Sequence, residues 1–175
     1  MTQEFNQVPP AQYHQIQETT ATSGFTMASD MLTCSLLRTL AASKLGGKFL
    51  ELGTGTGLAT SWILDGMDKD STLVSIDNDE NYLKIAREYL SGDRRLELVS
   101  IDGGEWIGQN RSNKFDYIFA DTWHGKYLML DEALSMLNRG GLYIIDDMLP
   151  QPNWPDGHHE KAINLEEYLD THPDF

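Results

Sequence analysis

Short apolar runs alternate along the chain with longer segments whose apolar positions recur every three or four residues. The runs KFLEL (Lys48–Leu52), TLVSI (Thr72–Ile76), LELVS (Leu96–Ser100), FDYIFA (Phe115–Ala120) and LYIID (Leu142–Asp146) read as buried strands. Between them, LATSWILDG is a helix with Gly66 as its C-terminal cap. DNDENYLKIAREYLSG opens on Asp and Asn capping candidates and closes on Gly92. A short turn or helix follows at Gly103–Asn110. KYLMLDEALSMLNRGG is a helix carrying Leu130, Ala133, Leu134 and Leu137 on one face. Upstream, Met27, Met31, Leu32, Leu36 and Leu40 stand at helical spacing before Gly46-Gly47. A loop rich in Pro and Trp leads to a last helix near His159–Asp170. Residues Met1–Ser23 are polar, with Pro9-Pro10, and read as a tail or loosely docked arm. There is no internal repeat, so residues 24–175 form one domain.

Strands alternating with amphipathic helices give an α/β protein with a parallel sheet covered on both faces. Right-handed crossovers make it a doubly wound, Rossmann-like fold. In such sheets ligands bind beyond the carboxyl ends of the strands. Those ends hold Gly53–Gly57, Asp77, Asp102, Asp121 and Asp146-Asp147. One acid there means little, because acids cap helices. Four strand ends on one rim mean more.

Charge narrows the partners. Thirteen Lys and Arg against twenty-seven Asp and Glu give a net charge of −14, which repels phosphate backbones and anionic lipid and argues against nucleic-acid and membrane roles. The single cysteine, Cys34, permits no internal disulfide and fits a reducing compartment. The N-terminus lacks the basic start and apolar run of a signal peptide, and no apolar stretch approaches the ~20 residues that span a bilayer. The expectation is a soluble, cytoplasmic protein.

Glycines 53, 55 and 57 in FLELGTGTG (Phe49–Gly57) let the backbone approach a ligand at a helix start. The dinucleotide fingerprint G-x-G-x-x-G fails, since its third glycine would fall at Leu58. Glu51, just before the loop, suits a cationic or amino-bearing ligand better than a pyrophosphate. Here the sequence resembles the class I S-adenosylmethionine-dependent methyltransferases. ELGTGTG matches their acid-x-Gly-x-Gly-x-Gly turn, which implies that Glu51, Gly53, Thr54, Gly55 and Gly57 contact the cofactor. Asp77 in LVSIDND matches the acid that binds the ribose hydroxyls. Asp102, with Gly103, in VSIDGGEW matches the one near the adenine. A carboxylate accepts both ribose hydroxyl protons, and an acidic rim suits a ligand bearing a sulfonium and an ammonium. Either acid taken alone also reads as a cap of the next helix.

The fourth and fifth strand ends, IFADTWHGKY and LYIIDDML, resemble the metal-dependent O-methyltransferase branch that includes the catechol and caffeoyl-coenzyme A enzymes. That resemblance implies a divalent cation (magnesium, manganese or calcium) on Asp121, Asp146 and Asp147, holding a small hydroxyl-bearing acceptor. Two departures stand out. Asp147 replaces the branch's usual Asn, and His124 replaces its usual lysine base, with Lys126 two residues on. Asp121 and His124 are thus the catalytic candidates, His124 having the alternative of a solvated loop residue. Trp123, Tyr127 and Trp154 are candidates to wall an aromatic acceptor, the first two equally for packing. The adjacent His158 and His159 are discounted.

The family's closing antiparallel hairpin has no counterpart before Phe175. Either the polypeptide continues, or another chain in a homodimer covers an apolar edge strand. The expected activity is methyl transfer to a small-molecule hydroxyl. Its rivals are a metal-free methyltransferase and a catalytically silent S-adenosylmethionine-binding module.

Overall fold

A computed structural model describes residues 8–150, 154 and 156–173. Five strands, β1 (Lys48–Leu52), β2 (Thr72–Asp77), β3 (Leu96–Ser100), β4 (Phe115–Ala120) and β5 (Leu137–Ile145), form an all-parallel sheet in the order β3-β2-β1-β4-β5. The helices are α1 (Tyr13–Ser23), α2 (Met31–Ala42), α3 (Leu58–Gly66), α4 (Glu80–Leu90), α5 (Gly103–Asn110), α6 (Leu130–Ser135) and α7 (His158–Asp170). Side chains alternate across a strand, so β1 sends Phe49 to one face and Leu50 and Leu52 to the other. Phe49, Tyr117 and Phe119 pack with Ile16, Leu37, Trp62, Ile63 and Ile85 from α1–α4. On the opposite face Leu50, Leu52, Ile76 and Ile118 meet Trp106 and Ile107 of α5 and Ala133 of α6. The doubly wound expectation holds, and the switch point falls where β1 has β2 on one side and β4 on the other.

The polar arm is a helix of the domain. Its α1 buries Tyr13 and Ile16, and the Tyr13 ring meets Trp62 edge-on at 5.8 Å. Thr20 donates to Thr56 in the glycine loop at 2.8 Å, and Thr19 and Tyr89 share a hydrogen bond of the same length. From Val8 onward the expected arm thus leads into a helix packed on the sheet's helical layer; residues 1–7 lie outside the described chain.

The next helix starts four residues later than its apolar spacing predicts, because the Asp30 carboxylate accepts from Leu32 N and Thr33 N and caps it. Its buried positions are Cys34, Leu37 and Ala41, whereas Met27, Leu32 and Leu36 are more than half exposed (66, 56 and 54 %). Of the residues at helical spacing, Leu40 packs against the core.

A third correction concerns Leu137–Gly141, expected in a helix but belonging to β5. The ladder pairs Phe115 with Leu137 and then Tyr117 with Leu142, so Asn138–Gly141 bulge out of register. Asn138 anchors the bulge by donating to Asp116 at 2.8 Å, and Gly140 takes a left-handed φ of 77°. Among the described residues no strand pairs with the outer edge of β5. No helix among them is long and apolar enough to cross a membrane.

Candidate active site

The β1–α3 loop turns on three glycines in the left-handed region, with φ of 107° at Gly53, 52° at Gly55 and 90° at Gly57. A Cβ at Gly53 would stand 2.8 Å from the Asp121 carbonyl oxygen, so the loop lies directly against the main chain leaving β4. Gly53 N and Thr54 N both donate to Ile76 O, pinning the loop to β2. Beneath it Glu51 is fully buried. Its Oε2 accepts from Thr60 at 2.6 Å and from Ser75, whose hydroxyl also pairs with Thr54. Its Oε1 is buried with no hydrogen-bond partner. Burial lifts the Glu51 carboxyl to about 7, against the two hydroxyl donors and with help from the Asp77 charge.

The two acids of the second and third strands behave differently. Helix α4 is capped by Asp79, not Asp77, and Asp77 accepts from Gly55 N at 2.7 Å and Asp79 N at 2.8 Å. Asp102 does cap α5, accepting from Gly104 N and Glu105 N. Over that first turn lies His124, whose Nδ1 is 3.7 Å from Asp102 Oδ2 and whose ring a Cβ on Gly104 would meet at 2.8 Å. His124 and Gly103 thus stand at the β3 end of the rim.

At the other end, Asp121 and Asp146 face one hydroxyl: Ser29 Oγ is 2.7 Å from Asp146 Oδ2 and 3.4 Å from Asp121 Oδ2. Burial, then the charges of Asp146 and Asp147, push the Asp121 carboxyl well above the usual carboxylate range. Asp147, with φ 54°, is also raised, by burial and then by Asp146. The positive charge here belongs to Lys126. It is buried, with 5 % of its surface exposed, and its ammonium donates to the carbonyl oxygens of Asp146 at 2.6 Å and Asp147 at 3.2 Å. Burial lowers the Lys126 pKa, opposed by Asp147, Asp121 and Asp146. Gly125 allows the approach: its φ is 81°, and a Cβ there would meet Leu52 Cδ1 at 2.5 Å.

Beside Lys126 the aromatic candidates gather around a residue the sequence reading set aside. His158 lies 6.0 Å from the Trp123 ring, 5.3 Å from Tyr127 and 4.4 Å from Trp154, centroid to centroid. Its Nε2 pairs with Tyr127 OH at 3.2 Å, and Lys161 lies 4.5 Å over Trp123. Trp123 is 46 % exposed and lies outside the core, packing one part of its ring against Tyr127 and His158. The neighbouring proline loop at residues 151–153 and 155 lies outside the described chain.

The model of a protein family described as a methyltransferase domain matches residues 50–148, from β1 to just past Asp147. The chain belongs to that family. A curated protein of Mycobacterium ulcerans, provisionally named an O-methyltransferase, is 28 % identical over 118 residues, 63 % of this chain and 52 % of its own length. The chain thus spans about half the length of the curated relatives it matches. Among solved structures, an O-methyltransferase from Bacillus cereus in complex with S-adenosylhomocysteine superposes with a TM-score of 0.83 at 18 % identity, over 97 % of this chain and 83 % of that one. TomG from Streptomyces achromogenes, an O-methyltransferase involved in tomaymycin synthesis, in complex with S-adenosylmethionine, gives 0.80 at 18 %, over 95 % and 80 %. These likenesses establish the fold of this methyltransferase domain.

The two groups implied for such a domain fit unequally. A cationic nucleoside ligand fits the glycine loop, because the orphaned Glu51 oxygen and the Asp77 carboxylate offer acceptors there. A divalent cation on Asp121, Asp146 and Asp147 does not fit: among the described residues no three His, Cys, Asp or Glu side chains converge as a metal-holding group. At that end of the rim the lysine ammonium holds the main-chain carbonyls of Asp146 and Asp147, and the serine hydroxyl faces the Asp146 and Asp121 carboxylates. By spacing, His124 occupies the branch's usual lysine position. The sharp Gly125 turn, which carries Lys126 inward to the acids, is not visible in spacing alone.

Proposed function

We propose that the domain transfers the methyl group of S-adenosylmethionine to a hydroxyl of a small acceptor, with Lys126 as the proton acceptor and without a divalent cation. When bound, S-adenosylmethionine supplies a methyl group activated by its sulfonium. The observation that carries the reading is the contact between Gly53 and the Asp121 main chain, which sets the cofactor loop beside the acids and the lysine. Glu51 and the loop residues Gly53, Thr54, Gly55 and Gly57 would hold the amino-acid end of the cofactor, Asp77 the ribose, and Asp102 with Gly103 the adenine end. Lys126 takes the hydroxyl proton when its amine is neutral, a state that burial favours. The neighbouring acids act the other way, raising the lysine pKa and so favouring the ammonium once the proton has been taken up. His124, over the first turn of α5, is assigned to the adenine end rather than to proton transfer. Trp123 and Tyr127 would wall a planar acceptor. These partners and roles are proposals for the domain, and so is a homodimer that would cover β5.

Calorimetry with S-adenosylhomocysteine, joined to a turnover assay over small aromatic and aliphatic hydroxyl acceptors with and without chelator, tests the reading. Binding, with transfer that survives chelation, is the expected result. Activity lost to chelator and restored by magnesium or manganese would return the acids to metal ligation. Binding without turnover over the whole panel would make the domain a silent cofactor-binding module.

A further inference from the structure

The segment joining α1 to α2 runs across the carboxyl rim of the sheet and touches both halves of the proposed site. At its start, the Phe25 ring covers the glycine loop: a Cβ on Gly55 would lie 2.7 Å from Phe25 Cζ. The same ring packs edge-on against Tyr82 of α4 at 4.8 Å. Four residues on, Ser29 reaches the far end of the rim, where its hydroxyl lies 2.7 Å from Asp146 and 3.4 Å from Asp121. Asp30 then caps α2, so the backbone after Ser29 is fixed by a helix. Ser29 O also lies 3.7 Å from the buried Cys34 Sγ. A hydroxyl has one proton to donate, and the shorter contact marks Asp146 as its acceptor. The longer contact leaves Asp121 facing the same oxygen.

We propose that Ser29 is a positioning residue of the transfer site: its hydroxyl holds the Asp146 and Asp121 carboxylates in register, and with Phe25 it anchors the 24–30 segment across the cleft. This rests on the reading of the rim as a methyl-transfer site and adds a residue from outside the strand ends. Without the hydroxyl, two neighbouring acids lose their shared contact. The main-chain carbonyls of Asp146 and Asp147 that hold the Lys126 ammonium then lose a fixed point. Chemistry should suffer while cofactor binding does not, because the glycine loop is pinned separately by Ile76, Asp77 and Thr20.

The test compares wild type, Ser29→Ala and Ser29→Thr in the full chain. In the free protein, carboxyl ¹³C signals of Asp121 and Asp146, assigned through Asp→Asn variants, should move in Ser29→Ala and return in Ser29→Thr. With the best acceptor from the panel above, kcat should fall about tenfold in Ser29→Ala, the size of a lost hydrogen bond to a charged group. KM for S-adenosylmethionine should stay within about twofold, and Ser29→Thr should recover most of the rate. Unmoved carboxyl signals in Ser29→Ala overturn the proposal whether or not the acceptor panel shows turnover. A Ser29→Ala loss in S-adenosylhomocysteine affinity as large as that in kcat also overturns it, by making the segment a structural support. Absence of S-adenosylhomocysteine binding in wild type would instead defeat the methyl-transfer reading, and the carboxyl signals would still decide the contact.

Discussion

The Gly55 amide donates to Asp77 Oδ2 at 2.7 Å, so the acid ending β2 shapes the glycine loop before any ligand arrives. The loop and the proposed ribose acceptor are thereby one unit. A neighbouring aspartate, Asp79, has taken over the capping of α4 and left Asp77 free for this work.

Replacing Asp77 by Ala should therefore do two things. Affinity for S-adenosylhomocysteine should drop about tenfold to a hundredfold, the effect of losing hydrogen bonds to a charged group, ~1.5–3 kcal/mol. The glycine loop should loosen as well, lowering unfolding stability by ~1 kcal/mol. Calorimetry and denaturant titration read the two separately, and unchanged affinity in a folded variant would remove Asp77 from the cofactor site.

Lys126→Met should cut turnover by ~10²–10⁴-fold, the usual range for a lost general base, while S-adenosylhomocysteine still binds. Because burial depresses the lysine pKa, the neutral amine is reached below the ordinary lysine range of ~10.4. Wild-type activity should climb with pH on a limb below that value, and the variant should lack the limb. A matching His124→Gln enzyme should keep it. Were His124→Gln the variant to lose the limb, the base would be the histidine.

The buried Glu51 carboxyl, at about 7, lies above its value in an unfolded chain, ~4.3. The folded state therefore holds this proton more tightly. Its contribution to stability is full below ~4.3 and falls away as pH rises to about 7, by on the order of 3 kcal/mol. Glu51→Gln should be less sensitive than wild type to that pH change in denaturant unfolding; equal slopes would show that Glu51 titrates normally. A cationic ligand beside the carboxylate should favour its charged form, so binding near neutral pH should release a proton in wild type and none in Glu51→Gln. Calorimetry in buffers of different ionisation enthalpy measures that.

Ile16→Ala tests α1. The side chain is fully buried, and truncating such a residue costs ~2–5 kcal/mol. A loss of that size in chemical unfolding is expected. No loss would mean that the helix does not belong to the cooperative core.

The strand ends were legible because five apolar runs with an acid or a glycine loop behind them leave few other arrangements. The arm was not, since α1 needs only Tyr13, Ile16 and Thr20 to dock and is otherwise polar. In α2 two apolar stripes compete, and nothing local distinguishes the outward Leu32 and Leu36 from the inward Leu37 and Ala41. The Leu137–Gly141 segment has helical spacing, yet pairing with Phe115 outweighs that preference. At the site, Asp77, Asp121 and Asp146 were visible as strand ends. Ser29 was not, and Lys126 and His158 were seen without a role, because each owes its place to contacts with residues far away in the chain.

The strand order carries a consequence for how the chain acquires its shape. β1 finds β2 a short distance downstream, Lys48 opposite Thr72, but its other neighbour must wait until Tyr117 is available to Phe49. During synthesis, at about 5–20 residues per second, the central strand of the finished sheet spends several seconds as a temporary edge, with its apolar residues Phe49, Leu50 and Leu52 short of a partner. Nascent chains stalled between β3 and β4 should be the species that chaperones bind and that aggregate, and release should coincide with the emergence of Phe115–Ala120.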